Sequence, residues 1–107
     1  MEKTILGLIE DVKIHGRIIK AKIDTGAKRS SISRELANEL NLGPVIKVRG
    51  YKTSTGREKR PVIKTSISIK GRKFKATFNI ANRAHMKYRI LIGQNILKKR
   101  FLIDPSK

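Results

Sequence analysis

The chain has 107 residues, no cysteine and a formal charge of +18, from 26 Lys and Arg against 8 Asp and Glu. The length suits one domain, residues 1–107, with a modest core that would gain from oligomerisation, and the lack of cysteine excludes a disulfide framework and a thiolate metal site. No apolar run is long enough to span a bilayer and Met1-Glu2-Lys3 does not begin a secretory signal, so a cytoplasmic protein without membrane contact is expected.

Residues 4–9 form a short apolar run that reads as a strand. Val12-Lys13-Ile14 alternates, His15-Gly16 turns and residues 17–24 return, which makes a β-hairpin. Ile18, Ile19, Ala21 and Ile23 read as a buried strand that delivers Asp24 at its end. An ionised aspartate there is costly to bury without hydrogen-bond partners or a function. Thr25 supplies a hydroxyl, and Gly26 permits a tight turn that brings backbone N–H groups towards the carboxylate. Aspartate at the first position of a β-turn is also ordinary turn chemistry. A basic, polar corner follows Ala27: Lys28-Arg29-Ser30-Ser31.

Ser33 caps a short helix over residues 34–40, with Leu36 and Leu40 on one face, and Gly43-Pro44 ends it. Residues 45–49 read as a strand, 51–57 as a turn and 61–69 as a second extended run. Together they form a long hairpin with a small polar tip, Ser54-Thr55-Gly56, read either as a mobile flap or as an ordinary surface hairpin. Pro61 favours an edge position. Lys70-Gly71-Arg72 turns into a strand at 73–80, Ile90-Leu91-Ile92 reads as a buried strand ended by Gly93, and residues 94–99 make one or two helical turns. Phe101-Leu102-Ile103 is a final strand, stopped by Asp104-Pro105.

Residues 12–24 align with 67–79, with Gly16/Gly71, Arg17/Arg72, Lys20/Lys75 and Ala21/Ala76 identical and Asp24 over Asn79. This pattern fits two related halves of which only the first has a carboxylate, or simply two hairpins with similar turns. The charge is regional: residues 59–103 hold thirteen basic side chains and no acidic one. Such a surface attracts polyanions, whereas Lys and Arg on exposed strands also guard edges against aggregation. The five aromatics are scattered, and no RNA-recognition, zinc-finger or helix-turn-helix pattern accompanies the charge, so specific base reading is unsupported.

Three features in this order resemble the retropepsin-like aspartic proteases: Ile23-Asp24-Thr25-Gly26-Ala27 after a hairpin, the hairpin with the Ser54-Thr55-Gly56 tip in the place of a flap, and Ile90-Leu91-Ile92-Gly93-Gln94-Asn95-Ile96-Leu97. The resemblance covers nearly the whole chain. It implies a mostly β, retropepsin-like barrel with a flap hairpin, one or two short helices and an active site at a homodimer interface. More narrowly, Lys20-Ala21-Lys22-Ile23-Asp24-Thr25-Gly26-Ala27-Lys28 and Phe101-Leu102-Ile103-Asp104 look like the microbial retropepsin-like domains labelled "ATP-dependent zinc proteases". His15 and His85 are the only histidines, there is no His-Glu-x-x-His helix and no Gly-rich phosphate loop with a Lys, so neither zinc nor ATP is expected as a cofactor.

The resemblance assigns catalysis to Asp24, Thr25 and Gly26, and substrate contact to Ala27, Lys28, Arg29, Ser54, Thr55 and Gly56. Asp24 of each chain would meet across a two-fold axis, the pair sharing one proton because like charges about 3 Å apart do not both ionise. In retroviral relatives an acidic residue two positions after the Gly pairs with an Arg that opens the late helix. Lys28 and Gln94 stand in those places here, so the dimer contact is built differently and the cleft rim is basic. The implied activity is that of a homodimeric aspartic endopeptidase acting on peptide or protein substrates with acidic segments. Some members of the family are linked to glutamate-tail trimming of ribosomal proteins. The alternative is a non-catalytic basic β domain contacting a polyanion, RNA or the ribosome, with Asp-Thr-Gly as a structural turn.

Overall fold

A computed structural model describes residues 2–82 and 86–107; Met1 and residues 83–85, including His85, lie outside it. Nine strands and two short helices follow one another: β1 (Thr4–Leu6), β2 (Ile9–Ile14), β3 (Arg17–Ile23), β4 (Ser31–Ser33), α1 (Arg34–Glu39), β5 (Val45–Thr53), β6 (Gly56–Ile69), β7 (Arg72–Ala81), β8 (Ile90–Ile92), α2 (Gln94–Leu97) and β9 (Phe101–Ile103). The expected mostly β, retropepsin-like barrel is borne out, with two short helices and 56% of the described residues in strands.

The main sheet runs β2-β3-β8-β4-β7-β6-β5, and a further β2–β6 pairing closes six of these strands into a barrel with β5 outside it. Read from either end of those six, the order is a hairpin, then two short strands, then a hairpin. β3 pairs in parallel with β8, β7 pairs in parallel with β4, and β8 and β4 run antiparallel to each other. The two aligned hairpins, β2–β3 and β6–β7, thus hold equivalent places. Their turns match as well: His15 and Gly16 have φ of 48° and 79°, Lys70 and Gly71 of 52° and 78°. Paired positive φ values give the turn whose twist suits a two-residue hairpin.

The barrel is filled by alternating apolar side chains, nearly all of them aliphatic. Val12, Ile14, Ala21, Ile23, Ile67, Ile69, Phe78, Ile90 and Ile92 all point inward and are buried. Leu36, Ala37 and Leu40 of the α1 region close part of the core, as do Ile96 and Leu97 of α2. Ser33 caps α1 as expected, its Oγ accepting from Leu36 N at 3.1 Å. No helix among the described residues is long and apolar enough to cross a membrane.

Several local expectations need correction. Ile18 is 68% exposed, because two-residue alternation puts it outside with Lys20 and Lys22 while Ile19, Ala21 and Ile23 turn inward. The run at 4–9 is broken at Gly7-Leu8. Gly7 packs against the backbone of Lys107 and donates to Glu10 Oε2 at 2.6 Å, so β1 leaves the barrel and pairs with β9. Helix α1 ends before Gly43-Pro44, because Asn41 adopts a φ of 53° and its N–H returns to Asn38 O. The corner at Ser31 continues into β4, a short strand buried at all three positions. The turn expected over 51–57 is also much tighter: Tyr51 pairs with Glu58 and Lys52 with Arg57, so only Ser54 and Thr55 lie between the strands. Pro61 faces Val48 of β5, and the pairing with β7 begins one residue later at Val62, so at the proline the strand has a neighbour on one side only.

Candidate active site

The site is built where β3 ends against β8. Ile23 N donates to Leu8 O and Asp24 N to Ile92 O, at 2.8 and 2.9 Å, so the backbone entering Asp24 is held from both sides. The chain then turns on the aspartate itself. Gly26 N donates to Asp24 Oδ1 at 2.9 Å and Ala27 N to Asp24 O at 3.2 Å. A Cβ on Gly26 would lie 3.3 Å from Asp24 Oδ1, so glycine suits this close return. Asp24 is half-buried, Thr25 and Gly26 are exposed, and Asp24 Oδ2 has no hydrogen-bond partner among the described residues.

The segment after Gly26 is fastened to the β8–α2 junction by its main chain. Ala27 O accepts from Gln94 N at 2.8 Å and Lys28 O from Asn95 N at 3.2 Å. Thr25 O accepts from Gln94 Nε2 at 2.7 Å. Buried Ser30 accepts from Gly93 N at 2.9 Å and donates to Asn95 Oδ1 at 2.8 Å, while Asn95 Nδ2 donates to Thr77 O at 3.1 Å. The position that opens the late helix thus binds the active loop as an uncharged amide within one chain. Sequence reasoning marked Gln94 only as a missing arginine, and gave no sign of Ser30 or Asn95.

Two cavities flank this loop. One, of about 260 Å³, is bordered by Ala27, Arg29, Tyr51, Arg60, Asn79 and Leu91, among others. The other, of about 560 Å³, is bordered by Thr25, Lys28, Arg29, Gln94, Lys98 and Phe101, among others. Of the expected site residues in this loop, Thr25, Ala27, Lys28 and Arg29 border the cavities, whereas Asp24 and Gly26 border neither and are joined to them by the turn itself. The β5–β6 hairpin meets this region through Tyr51 and Arg60; Ser54, Thr55 and Gly56 border neither cavity, because both strands run on beyond this point. Arg60 stacks over the Tyr51 ring at 4.9 Å and pairs with Glu58 at 3.1 Å, while the Tyr51 hydroxyl is buried without a hydrogen-bond partner among the described residues. Strand alternation through 51 would have flagged both residues.

The described side chains do not suit a zinc site. Among the described residues no group of three or more His, Cys, Asp or Glu is placed to hold a metal ion, and His15 Nδ1 is engaged with Leu40 O at 2.7 Å.

A closed barrel carrying Asp-Thr-Gly at the end of an inner strand, backed by a parallel strand and a short helix, is the arrangement of a retropepsin-like aspartic protease. The chain belongs to the RimB-like family, described as the retropepsin-like aspartic endopeptidase RimB, whose model matches residues 34–107 and so begins after the Asp-Thr-Gly turn. Among solved structures it is similar to a protein of unknown function from Legionella pneumophila subsp. pneumophila str. Philadelphia 1, with a TM-score of 0.72, 24% identity and coverage of 97% of this chain and 95% of that one. It is also similar to the simian foamy virus (mac) protease, with a TM-score of 0.67, 21% identity and coverage of 84% and 91%. These likenesses establish the fold. The chain is 32% identical over 114 residues to a "Probable alpha-L-glutamate ligase" of Shewanella halifaxensis (strain HAW-EB4), covering 83% of this chain and 25% of that protein. A protein of the same name from Desulfotalea psychrophila (strain LSv54 / DSM 12343) is 31% identical over 114 residues, covering 82% and 24%. The chain thus spans about a quarter of the length of these curated relatives.

Proposed function

We propose that the chain is an aspartic endopeptidase that works as a homodimer on acidic peptide segments in the cytoplasm. The observation that carries this reading is the Asp24 carboxylate: Gly26 N–H fixes Oδ1, while Oδ2 has no partner within the described residues. Two such groups brought together across a two-fold axis would share one proton. The ionised member takes a proton from a water held between them, and the resulting hydroxide attacks the scissile carbonyl carbon. The protonated member gives its proton to the carbonyl oxygen. Collapse of the tetrahedral intermediate breaks the C–N bond as the nitrogen receives a proton, leaving a carboxylic acid and an amine.

A second copy is needed because the equivalent place in the β7 half holds Asn79, which is 3% exposed within the barrel wall. Apolar side chains left in the open support a partner: Leu8, whose carbonyl holds the end of β3, is 47% exposed, and Ile5 and Leu102 of the β1–β9 pair are 44% and 48% exposed. Acidic substrates are favoured by Lys28, Arg29, Arg60 and Lys98 around the flanking cavities. The name of the longer relatives, "Probable alpha-L-glutamate ligase", points the same way in that it names an acidic amino acid. The β5–β6 hairpin would close over the bound peptide and exclude water.

Asp24→Asn tests the reading. It removes the charge at constant volume and should lower kcat on an acidic peptide by about 10²–10⁴-fold or more, with unchanged thermal unfolding and an unchanged dimer by sedimentation. Undiminished cleavage by this variant, or full activity from a strict monomer, would overturn it.

A further inference from the structure

Away from the Asp24 turn, five cationic side chains surround one cavity of about 290 Å³: Arg29, Lys64, Lys75, Lys98 and Lys99. They come from four places in the chain: the loop before β4, strand β6, strand β7 and the end of α2. All five are exposed. No carboxylate borders the cavity, where Thr77 and Asn95 supply the neutral polar groups. The ion pairs of the described residues use other cations, namely Arg17, Lys20, Arg60, Lys70 and Arg89. Lys75 also borders the next cavity along the barrel, of about 370 Å³, where Lys13 and Lys73 add two further charges. Holding so many like charges side by side without counter-charges is unfavourable, and a bound polyanion relieves it.

We propose that these cations form a docking track for a carboxylate-rich stretch of polypeptide, which starts at the rim of the cleft in which hydrolysis is proposed, at Arg29 and Lys98, and runs away from it. Arg29 ties the two regions together, since it borders this cavity and both cavities beside the Asp24 loop. An acidic chain seated in the cleft can therefore continue past Arg29 onto Lys98 and Lys99, and from there to Lys64 and Lys75. The side-chain chemistry favours peptide over nucleic acid. Single-stranded nucleic acid is held by free aromatic faces as well as by charge. Phe74, the aromatic residue bordering these cavities, is half-buried and already packed on Phe101 at 6.0 Å, with Arg72 and Lys99 at 6.0 and 5.7 Å from its ring. Six of the seven cations are lysines, point charges that suit separate carboxylates along an extended chain. The proposal rests on the peptidase reading only for what becomes of the docked chain, not for the docking.

The test uses the full chain carrying Asp24→Asn, so that no hydrolysis enters the measurement. Fluorescence anisotropy at fixed ionic strength follows a dye-labelled peptide of repeating Glu-Ser, its Gln-Ser counterpart, and a single-stranded RNA of equal charge. Replacing Lys64, Lys73, Lys75 and Lys99 together by Gln should weaken Glu-Ser binding about tenfold or more, while the same replacement at exposed Lys3, Lys20, Lys22 and Lys47 should cost less than about threefold. The Gln-Ser peptide should bind far more weakly than Glu-Ser to the parent protein. Equal losses from the two sets of four would reduce the track to diffuse charge, and tighter RNA binding with a larger loss from the first set would make it a nucleic-acid surface. Either result overturns the proposal, and neither depends on whether the wild-type chain cleaves peptides.

Discussion

Gly93→Ala probes the structural claim on which the site depends, that the loop after Asp24 is pressed against the β8–α2 junction. A Cβ at Gly93 would collide with Arg29 O and stand 2.7 Å from Arg29 C and 2.8 Å from Ala27 O. Favourable contacts between heavy atoms begin near ~3.5 Å, and all three neighbours are backbone atoms that cannot swing aside. Overpacking of this kind costs about 1–3 kcal/mol. If the loop retreats instead, the bonds from Gln94 N to Ala27 O and from Asn95 N to Lys28 O lengthen, at about 0.5–1.5 kcal/mol each. Gly93 has a φ of −106°, which alanine adopts freely, so reduced unfolded-chain entropy returns about 0.4–1 kcal/mol. The net expectation is a loss of about 0.5–2.5 kcal/mol, read by urea unfolding, and a Tm lower by roughly 2–20 °C. Gly50→Ala is the control: it lies in β5 with nothing within 4 Å of the added Cβ, and should be neutral or stabilising by up to about 1 kcal/mol. A Gly93→Ala protein within about 0.5 kcal/mol of the parent would refute the packing argument.

Two further outcomes follow from local geometry. Ser33→Ala removes the hydroxyl that accepts from Leu36 N at a fully buried cap, and should cost about 1–2 kcal/mol in the same unfolding assay. Asp104 is held below the ordinary aspartate value of 3.8, first by the Ser106 hydroxyl at 2.6 Å and then by the Ser106 N–H at 3.0 Å, with Lys107 adding a smaller pull. Its contribution to stability is therefore complete above pH 3.8 and lost as the pH falls through the lower folded-state value. Ser106→Ala should move the Asp104 carboxyl titration upward in a carbon-detected NMR experiment; an unmoved midpoint would assign the shift to something other than the serine.

The parts of the fold legible in the sequence are those whose signals are local. His15-Gly16 and Lys70-Gly71 sit between alternating runs, so both hairpins and their registers could be read, and the turn on Asp24 could be anticipated because its carboxylate and glycine are two residues apart. Strand β4 was hidden because Ser31, Ile32 and Ser33 are all buried, which removes the alternation that marks a strand, and because Ser33 doubles as a helix cap. Tyr51 was placed in a turn because the polar run after it resembles a loop, whereas pairing with β6 carries the strand on to Thr53. The bond from Ser30 to Asn95 spans 65 positions and involves residue types common on any surface, so nothing near either residue announces it.

The way the loop is fastened has a consequence for how such a site changes over time. At Thr25, Ala27 and Lys28 the clamp grips carbonyl groups, which every amino acid carries, and leaves the side chains at 28 and 29 facing solvent. Mutation can therefore rewrite the charge beside the aspartate without displacing the aspartate. The residues that admit little drift are Gly93, which has no room for a methyl group, and Ser30 and Asn95, whose side chains are themselves the fasteners, one on each side of the contact. A lineage built on this frame can exchange a basic rim for an acidic or neutral one by single substitutions, so its members can diverge in what they accept while the carboxylate stays in place.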